Sequence, residues 1–405
     1  MPLMDALPIR RERWARWRPN RVLLCLAVAM LAALWGLDVV SVAPNRIVES
    51  TGYPVWHALG WPGAGLATLL LTVMIGLAAR PERSGYPALL AASCLLLLLM
   101  PFGLMLASHW LIAPDTAQAR LGIGPAYWTL LFMLSLCLVE LRLRMRLARG
   151  WMLLILLGIL GVWWLCAAFW LERLALVQEF QARHEAFYRA LGEHVALVGI
   201  AVTASVVLGI GIAMLIHRFS ASRKVAFAVL NFLQTVPSLA LFGLLLAPLA
   251  WLAARFDWLA DLGVKGIGWT PALIALIAYS LLPMVRNTYV ALDAVSPATL
   301  DAASGMGMRP AQRFWQVRLP LALPILLEGV RITTVQAVGL AAVAALIGAG
   351  GLGTFIFQGL GQVAMDMVLL GALPIIAMAL MADTALGALA EKLRQGENSS
   401  QGETA

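Results

Sequence analysis

About ten apolar runs, each near the length of a bilayer crossing, recur along this chain and are parted by short polar segments. A hydrocarbon core about 30 Å thick needs roughly 20 consecutive apolar residues in helical form. Such runs fall near residues 22–43, 62–79, 86–106, 126–141, 151–171, 194–216, 225–253, 270–290, 321–346 and 363–390. With 61% hydrophobic and 12% charged residues, the composition exceeds that of ordinary globular chains. The expected fold class is an all-α integral membrane protein with about ten transmembrane helices.

The distribution of positive charge orients these spans. Arg10, Arg11, Arg13, Arg16, Arg18 and Arg21 precede the first run, Arg80 and Arg83 follow the second, and Arg142, Arg144, Arg146 and Arg149 follow the fourth. His217, Arg218, Arg223 and Lys224 come next on the same side, and Lys392 and Arg394 close the series. The intervening loops are mixed or nearly neutral, so the positive-inside rule predicts both termini in the cytoplasm. The net charge of +8 therefore sets topology and needs no nucleic acid as partner. Trp14 and Trp17 among the N-terminal arginines suit an interfacial anchor. Ser41-Val42-Ala43 offers a signal-cleavage site, but Pro44 and the length of the run favour a retained anchor.

Five domains are expected: a basic cytoplasmic segment at 1–21, a five-helix membrane extension at 22–171, an extracytoplasmic amphipathic linker at 172–193, a second five-span unit at 194–390, and a disordered cytoplasmic tail at 391–405. Cys25, Cys94, Cys137 and Cys166 lie within apolar runs without CxxC spacing, which indicates neither a disulfide framework nor a zinc site. His57, His109, His184, His194 and His217 are dispersed without metal-binding spacing, and most are expected to be solvated or interfacial. No phosphate-binding loop occurs, the three lysines being Lys224, Lys265 and Lys392, so the chain itself is not an ATPase and binds no cofactor directly.

One polar segment between apolar runs, Leu300 to Pro320, has a sharper pattern. Asp301-Ala302-Ala303 is followed after three residues by Gly307, and after nine more by Val317-Arg318-Leu319-Pro320. Two alanines allow another surface to approach, and Gly307 permits a sharp turn between short helices. This spacing resembles the cytoplasmic coupling loop of ABC importer permeases, with Asp301 for Glu and Val317 for Ile. Residues 231–248, 279–292 and 341–361 look like the osmoprotectant subfamily, whose members import glycine betaine, choline, carnitine and related quaternary amines. The five spans ahead of that core resemble an extended form of the family.

The resemblance implies a type I ABC importer permease core in the C-terminal half, with Asp301, Ala302, Ala303, Gly307, Arg309, Leu319 and Pro320 coupling it to a P-loop ATPase. That separate subunit would use ATP and Mg. An extracytoplasmic substrate-binding protein, a second permease chain forming a homodimer, and a bacterial inner-membrane location are implied as well. The other readings are an importer of an amino acid or sulfonate, and an ATP-independent channel or scaffold.

Further residues invite roles in transport. Gln234, Thr235, Pro237 and Ser238 interrupt the seventh run, where proline kinks a helix and frees a carbonyl, either lining a pathway or adjusting packing. Tyr279, Pro283 and Asn287 invite the same reading in the eighth, and the faces of Tyr279 and Phe242 suit a quaternary ammonium or plain packing. Gly348, Gly350, Gly351 and Gly353 match GxGxxG, but no strand precedes them, so an outer gate or a structural turn replaces a dinucleotide site. Glu328 and Arg331, at i, i+3, share one face of the ninth run as an intramembrane ion pair, with Asp383 of the tenth run as a candidate third member.

Overall fold

The computed structural model describes residues 19–46, 48–79, 85–116 and 118–402, without the side chains of residues 220 and 395–402. The basic segment with Trp14 and Trp17 and the residues Arg80 and Arg83 lie outside the described residues. The chain divides into two compact units, Met1–Gln178 and Glu179–Ala405.

The first unit holds helices α1 (Arg21–Gly36), α2 (Val55–Ala58), α3 (Gly60–Ala79), α4 (Gly85–Leu111), α5 (Pro125–Met145) and α6 (Arg149–Phe169), with strands β1 (Val40–Ala43), β2 (Thr51–Tyr53) and β3 (Arg120–Ile123). At one end, the buried Asn20 joins three helices. Its Oδ1 accepts the Leu23 N–H at 3.2 Å, its own N–H donates to Ala78 O at 3.0 Å, and its Nδ2 donates to Glu140 Oε1 at 3.2 Å. An asparagine N-cap of this kind satisfies a backbone donor that the first helical turn leaves free. At the other end, the strands form an antiparallel sheet in the order β2-β1-β3, with Val40 opposite both Tyr53 and Ile123. The sheet joins the segments after α1 and before α5, which places both on one side of the membrane. The two crossings by α3 and α4 that separate them return the chain to that side.

Pro101 lies inside α4 and has no N–H to offer the carbonyl of Leu97 one turn earlier. Trp163 of α6 supplies the missing donor, its Nε1–H reaching Leu97 O at 3.1 Å. The Tyr127 hydroxyl of α5 donates to Met100 O beside it. A proline that would weaken an isolated helix thus becomes the point where three helices are joined.

The second unit continues from α7 (Ala175–Arg218) through α8 (Ser220–Thr235), α9 (Ser238–Arg255), α10 (Asp257–Asp261), α11 (Trp269–Asp293), α12 (Pro297–Gly305), α13 (Pro310–Arg313), α14 (Leu319–Val343), α15 (Gly353–Gly361) and α16 (Met365–Gly402). A π turn, Phe314–Arg318, leads into α14, and a 3-10 turn, Ala344–Ile347, leaves it. Helix α14 packs against both α11 and α16. Leu326 and Ala322 of α14 share a buried apolar cluster with Met284 and Leu292 of α11, and Ala213 and Ile216 of α7 share another with Leu230 of α8 and Val285 of α11.

Among the described residues, nine helices are long and apolar enough to cross a membrane. The first expected span falls short of this: α1 has 16 residues, about 24 Å of helix. It ends at Gly36, and Val40–Ala43, expected inside that span, is strand β1. The helical fold class holds, and the small sheet escapes it because a four-residue segment beside a long apolar run carries no periodic signal of its own. Within Ala175–Arg218, Arg183 leaves helical geometry at φ −133°, ψ 21°, so two helices meet there at a kink. The seventh expected span is two helices, α8 and α9, parted at Val236 and Pro237. The tail expected to be disordered from Glu391 continues the helical backbone of α16 to Gly402. Extending an existing helix costs no new nucleation, so a polar segment follows an apolar one into the same helix.

Replacing Trp163 by Phe keeps the ring but removes the donor to Leu97 O. The expected result is a loss of about 1 kcal/mol and a lower thermal midpoint of the solubilised protein. An unchanged midpoint would show that the Leu97 carbonyl needs no partner.

Candidate functional site

The polar segment Leu300 to Pro320 forms a helical hairpin whose turn is built by hydrogen bonding. Met308 N–H donates to Ala303 O at 3.2 Å and Gly307 N–H to Ser304 O at 3.0 Å. This pair closes α12 in a Schellman motif, and Gly307 at φ +79° occupies the left-handed position that the motif requires. Arg309 N–H then donates to Gln312 Oε1 at 2.9 Å, which starts α13. The guanidinium of Arg313 donates to the Ser304 hydroxyl, so the two short helices are tied side to side.

The hairpin is rooted on one face and open on the other. Leu300, Phe314 and Leu319 pack against the buried cluster that contains Met284 and Leu292 of α11 and Ala322 and Leu326 of α14. Asp301, Ala302, Gly307, Arg309 and Pro320 are exposed, as are Met306 at 73% and Trp315 at 65%. Ala303 differs from expectation: it is buried against its own chain, so of the two alanines only Ala302 is presented outward. The small side chain at 303 lets α12 lie close to its support.

Arg318 makes the firmest connection. Its Nε and Nη2 donate to Leu292 O at 3.0 and 2.8 Å, and Nη2 also donates to His217 Nε2 at 2.7 Å. The final turn of a helix leaves carbonyls free, and a guanidinium fork satisfies one while keeping its charge at the negative end of the helix dipole. One side chain thereby links the start of α14 to the ends of α7 and α11. The π turn immediately before α14 widens the helix at this position, a feature that recurs at functional sites.

In the middle of the unit, the structure brings Gln234 and Tyr279 together. Pro283 leaves the carbonyl of Tyr279 without its helical donor, and Gln234 Nε2 donates to it at 2.9 Å. The Tyr279 hydroxyl donates in turn to Val236 O, where α8 ends. Pro237 is thus no kink within a span but the break between α8 and α9, with Ser238 opening α9. Thr235 donates to Phe232 O at 2.7 Å within α8, and Asn287 Nδ2 to Pro283 O at 2.8 Å within α11. Phe242 is almost fully buried, and Tyr279 is buried with its hydroxyl engaged. Both therefore pack the interior, and neither presents a free aromatic face to a cation.

Arg331 lies between two carboxylates. Its Nη2 is 2.8 Å from Glu328 Oε2 and its Nη1 2.9 Å from Asp383 Oδ1, which joins α14 to α16. Charges at such depth are costly unless they find partners, and the structure brings Asp383, the third member named from the sequence, to the pair from 52 positions away.

The glycine-rich turn after α14 is held from a direction that the sequence does not reveal. Gly348, Gly350 and Gly351 adopt φ of +77°, +77° and +80°. Glu193 of α7 accepts the Gly351 N–H at 2.9 Å, and a Cβ at Gly350 would fall 2.2 Å from the same carboxylate oxygen. Buried His194 reaches Val338 O of α14 at 3.2 Å through Nε2, while Gly268 N–H donates to Ile347 O at 2.8 Å. Gly353 packs against the Ala342 backbone with no space for a side chain. His57, His109 and His184 are exposed as expected, but His194 and His217 each hold a tertiary contact instead. Glu193 carried no signal of its own, since an acidic residue in an apparently amphipathic linker reads as solvated.

Residues 205–395 match the family described as the binding-protein-dependent transport system inner membrane component. Residues 18–177 match the N-terminal domain of the ABC transporter permease YehY. The osmoprotectant import permease protein OsmW of Salmonella typhimurium is 39% identical over 193 residues, covering 47% of this chain and 84% of that protein. The choline transport system permease protein OpuBB of Bacillus subtilis is 33% identical, covering 50% and 85%. The glycine betaine/carnitine/choline transport system permease protein OpuCB of the same species is 31% identical, covering 50% and 86%. Among solved structures, the inward-facing MetNI methionine ABC transporter aligns with a TM-score of 0.44 and 24% identity, over 52% of this chain and 98% of that one. In this family the permease has no ATPase activity and works with an ATPase subunit and a substrate-binding protein. The chain belongs to the binding-protein-dependent transport system inner membrane components, as a multi-pass ABC importer permease of the inner membrane with a further N-terminal membrane unit.

Proposed function

We propose that this permease imports a quaternary-amine osmoprotectant such as glycine betaine, choline or carnitine. The reading rests on the relatives, whose names assign them these solutes or osmoprotectant import. A homodimer of the chain pairs with two ATPase subunits that bind ATP and Mg, and an extracytoplasmic binding protein delivers the solute and sets most of the selectivity. Both termini lie in the cytoplasm, which puts the hairpin on the ATPase side and the glycine turn on the outer side.

The hairpin supports a coupling role for Asp301, Ala302, Gly307 and Arg309, because its exposed face belongs to the same rigid piece as Leu300, Phe314 and Arg318. Leu319, Pro320 and the buried Ala303 serve as its footing. A pull on the exposed face is passed by Arg318 to the ends of α7 and α11 at once. Gln234, Thr235, Pro237, Ser238, Tyr279 and Asn287 act along the pathway by shaping the break between α8 and α9, where rigid halves can pivot about Val236. Gly348, Gly350, Gly351 and Gly353 form the outer gate, with Glu193 as its latch. The Glu328–Arg331 pair, with Asp383, keeps α14 and α16 moving together.

Three measurements test this reading. Proteoliposomes with the cognate ATPase and binding protein should take up labelled glycine betaine, choline or carnitine only with ATP. ATP-driven uptake of an amino acid or sulfonate instead would overturn the substrate class, and flux without ATP would favour a channel. Arg318→Met should lower uptake by roughly tenfold or more while the ATPase still co-purifies, since only the link to α7 and α11 is lost; full uptake would remove Arg318 from the coupling path. Gly350→Val collides with Glu193 and strains a left-handed position, so uptake should fall with ATPase binding intact, and normal uptake would leave the turn without a gating role.

A further inference from the structure

The first unit contains a cavity of about 230 Å³ lined by α1, α3, α4 and α5 and open on one side. Its wall includes Leu34, Leu70, Leu96, Met100 and Leu130, and Tyr127 is the only lining residue with a polar side chain. That hydroxyl is already engaged by Met100 O. Val39, just before β1, and Leu59, between α2 and α3, close the cavity toward the sheet. The mouth is lateral: Leu66 of α3 and Phe102 of α4 line the space and are also 49% and 38% exposed on the outer surface of the unit. Leu69 and Leu95 of the same two helices are exposed as well, so the opening is continuous with the apolar outer surface of two helices long and apolar enough to cross a membrane.

These features select the occupant. An engineered apolar cavity of about 150 Å³ stays dry and takes up benzene, because water finds no partners there. This cavity is larger and equally poor in polar groups, so water and any charged solute, the transported cation included, would lose hydration without compensation. Its mouth faces hydrocarbon chains at the concentration of a neat liquid. An acyl chain that enters exchanges apolar surroundings for apolar surroundings and regains the dispersion contacts that the empty wall forfeits.

We propose that this cavity is a lipid site that takes one phospholipid acyl chain sideways between α3 and α4. The site is independent of the substrate assigned above. The test uses the full chain in nanodiscs of phosphatidylcholine, doped with phosphatidylcholine whose acyl chain ends in a photoactivatable diazirine, with labelled residues located by mass spectrometry. Label should appear on Met100 and Tyr127, which are buried and line the cavity, as well as on exposed Leu69 and Leu95. Filling the space with Ala67→Phe, or with Leu99→Trp should that variant fold poorly, should reduce label on Met100 and Tyr127 by roughly tenfold and leave Leu95 unaffected. Label on Leu69 and Leu95 with none on Met100 and Tyr127 in the unsubstituted chain would overturn the proposal, whether water, protein or nothing fills the space. Undiminished label on Met100 in a folded, filled variant would overturn it too.

Discussion

Backbone polar groups that lose their helical partner inside the bilayer have no water to turn to, and the joints of this molecule are built where that happens. Pro101 leaves Leu97 O free and Trp163 takes it; Pro283 leaves Tyr279 O free and Gln234 takes it. The end of α8 exposes Val236 O, which the Tyr279 hydroxyl reaches, and the end of α11 exposes Leu292 O, which the fork of Arg318 reaches. At the glycine turn the roles reverse, since the Gly351 N–H is the orphan and the Glu193 carboxylate its partner. Each of these repairs comes from a different element, so each of these interruptions is also a connection between elements.

This rule gives the second unit its mechanical character. Apolar side chains between membrane helices slide against one another with little directional preference, because lipid competes equally for their surface. Hydrogen bonds to freed carbonyls fix both distance and direction. The hairpin end is therefore linked to α7, α11 and α14 through Arg318, and the opposite end to α7 and α14 through Glu193 and His194. Helix α7 carries both sets of contacts, about 24 residues apart, and can relay a displacement along its axis. Alternating access needs that combination of stiff elements and a few defined joints, and Val236–Pro237, where α8 ends and α9 begins, is such a joint.

The first unit applies the same rule with a different result. Asn20 at one end and a three-stranded sheet at the other hold its helices like the two plates of a frame. The space left between the plates is apolar and opens laterally. A unit in water would collapse such a space or expose it at a cost, whereas the bilayer supplies a solvent that fills it.

The spans, their order and the character of the hairpin were legible in the sequence because they depend on run length and local spacing. Apolar length decides whether a helix crosses, and the turn at Gly307 depends on residues within two turns of it. The Glu328–Arg331 spacing could be read for the same reason. Asp383 is named from the sequence as a candidate third member, and its contact comes from the fold; Glu193 as the holder of the glycine turn, His217 as a partner of Arg318 and the sheet that recruits Val40–Ala43 belong to the tertiary structure alone. Each depends on a residue between 9 and 158 positions away in the chain. Ala303 shows the limit most plainly: a pattern marks a small residue as needed, but only packing decides which surface it serves. Sequence determined which segments enter the membrane, since that is a transfer free energy summed along each run. Tertiary structure decided which side chain repairs which break, since that depends on distances between helices that no local pattern encodes.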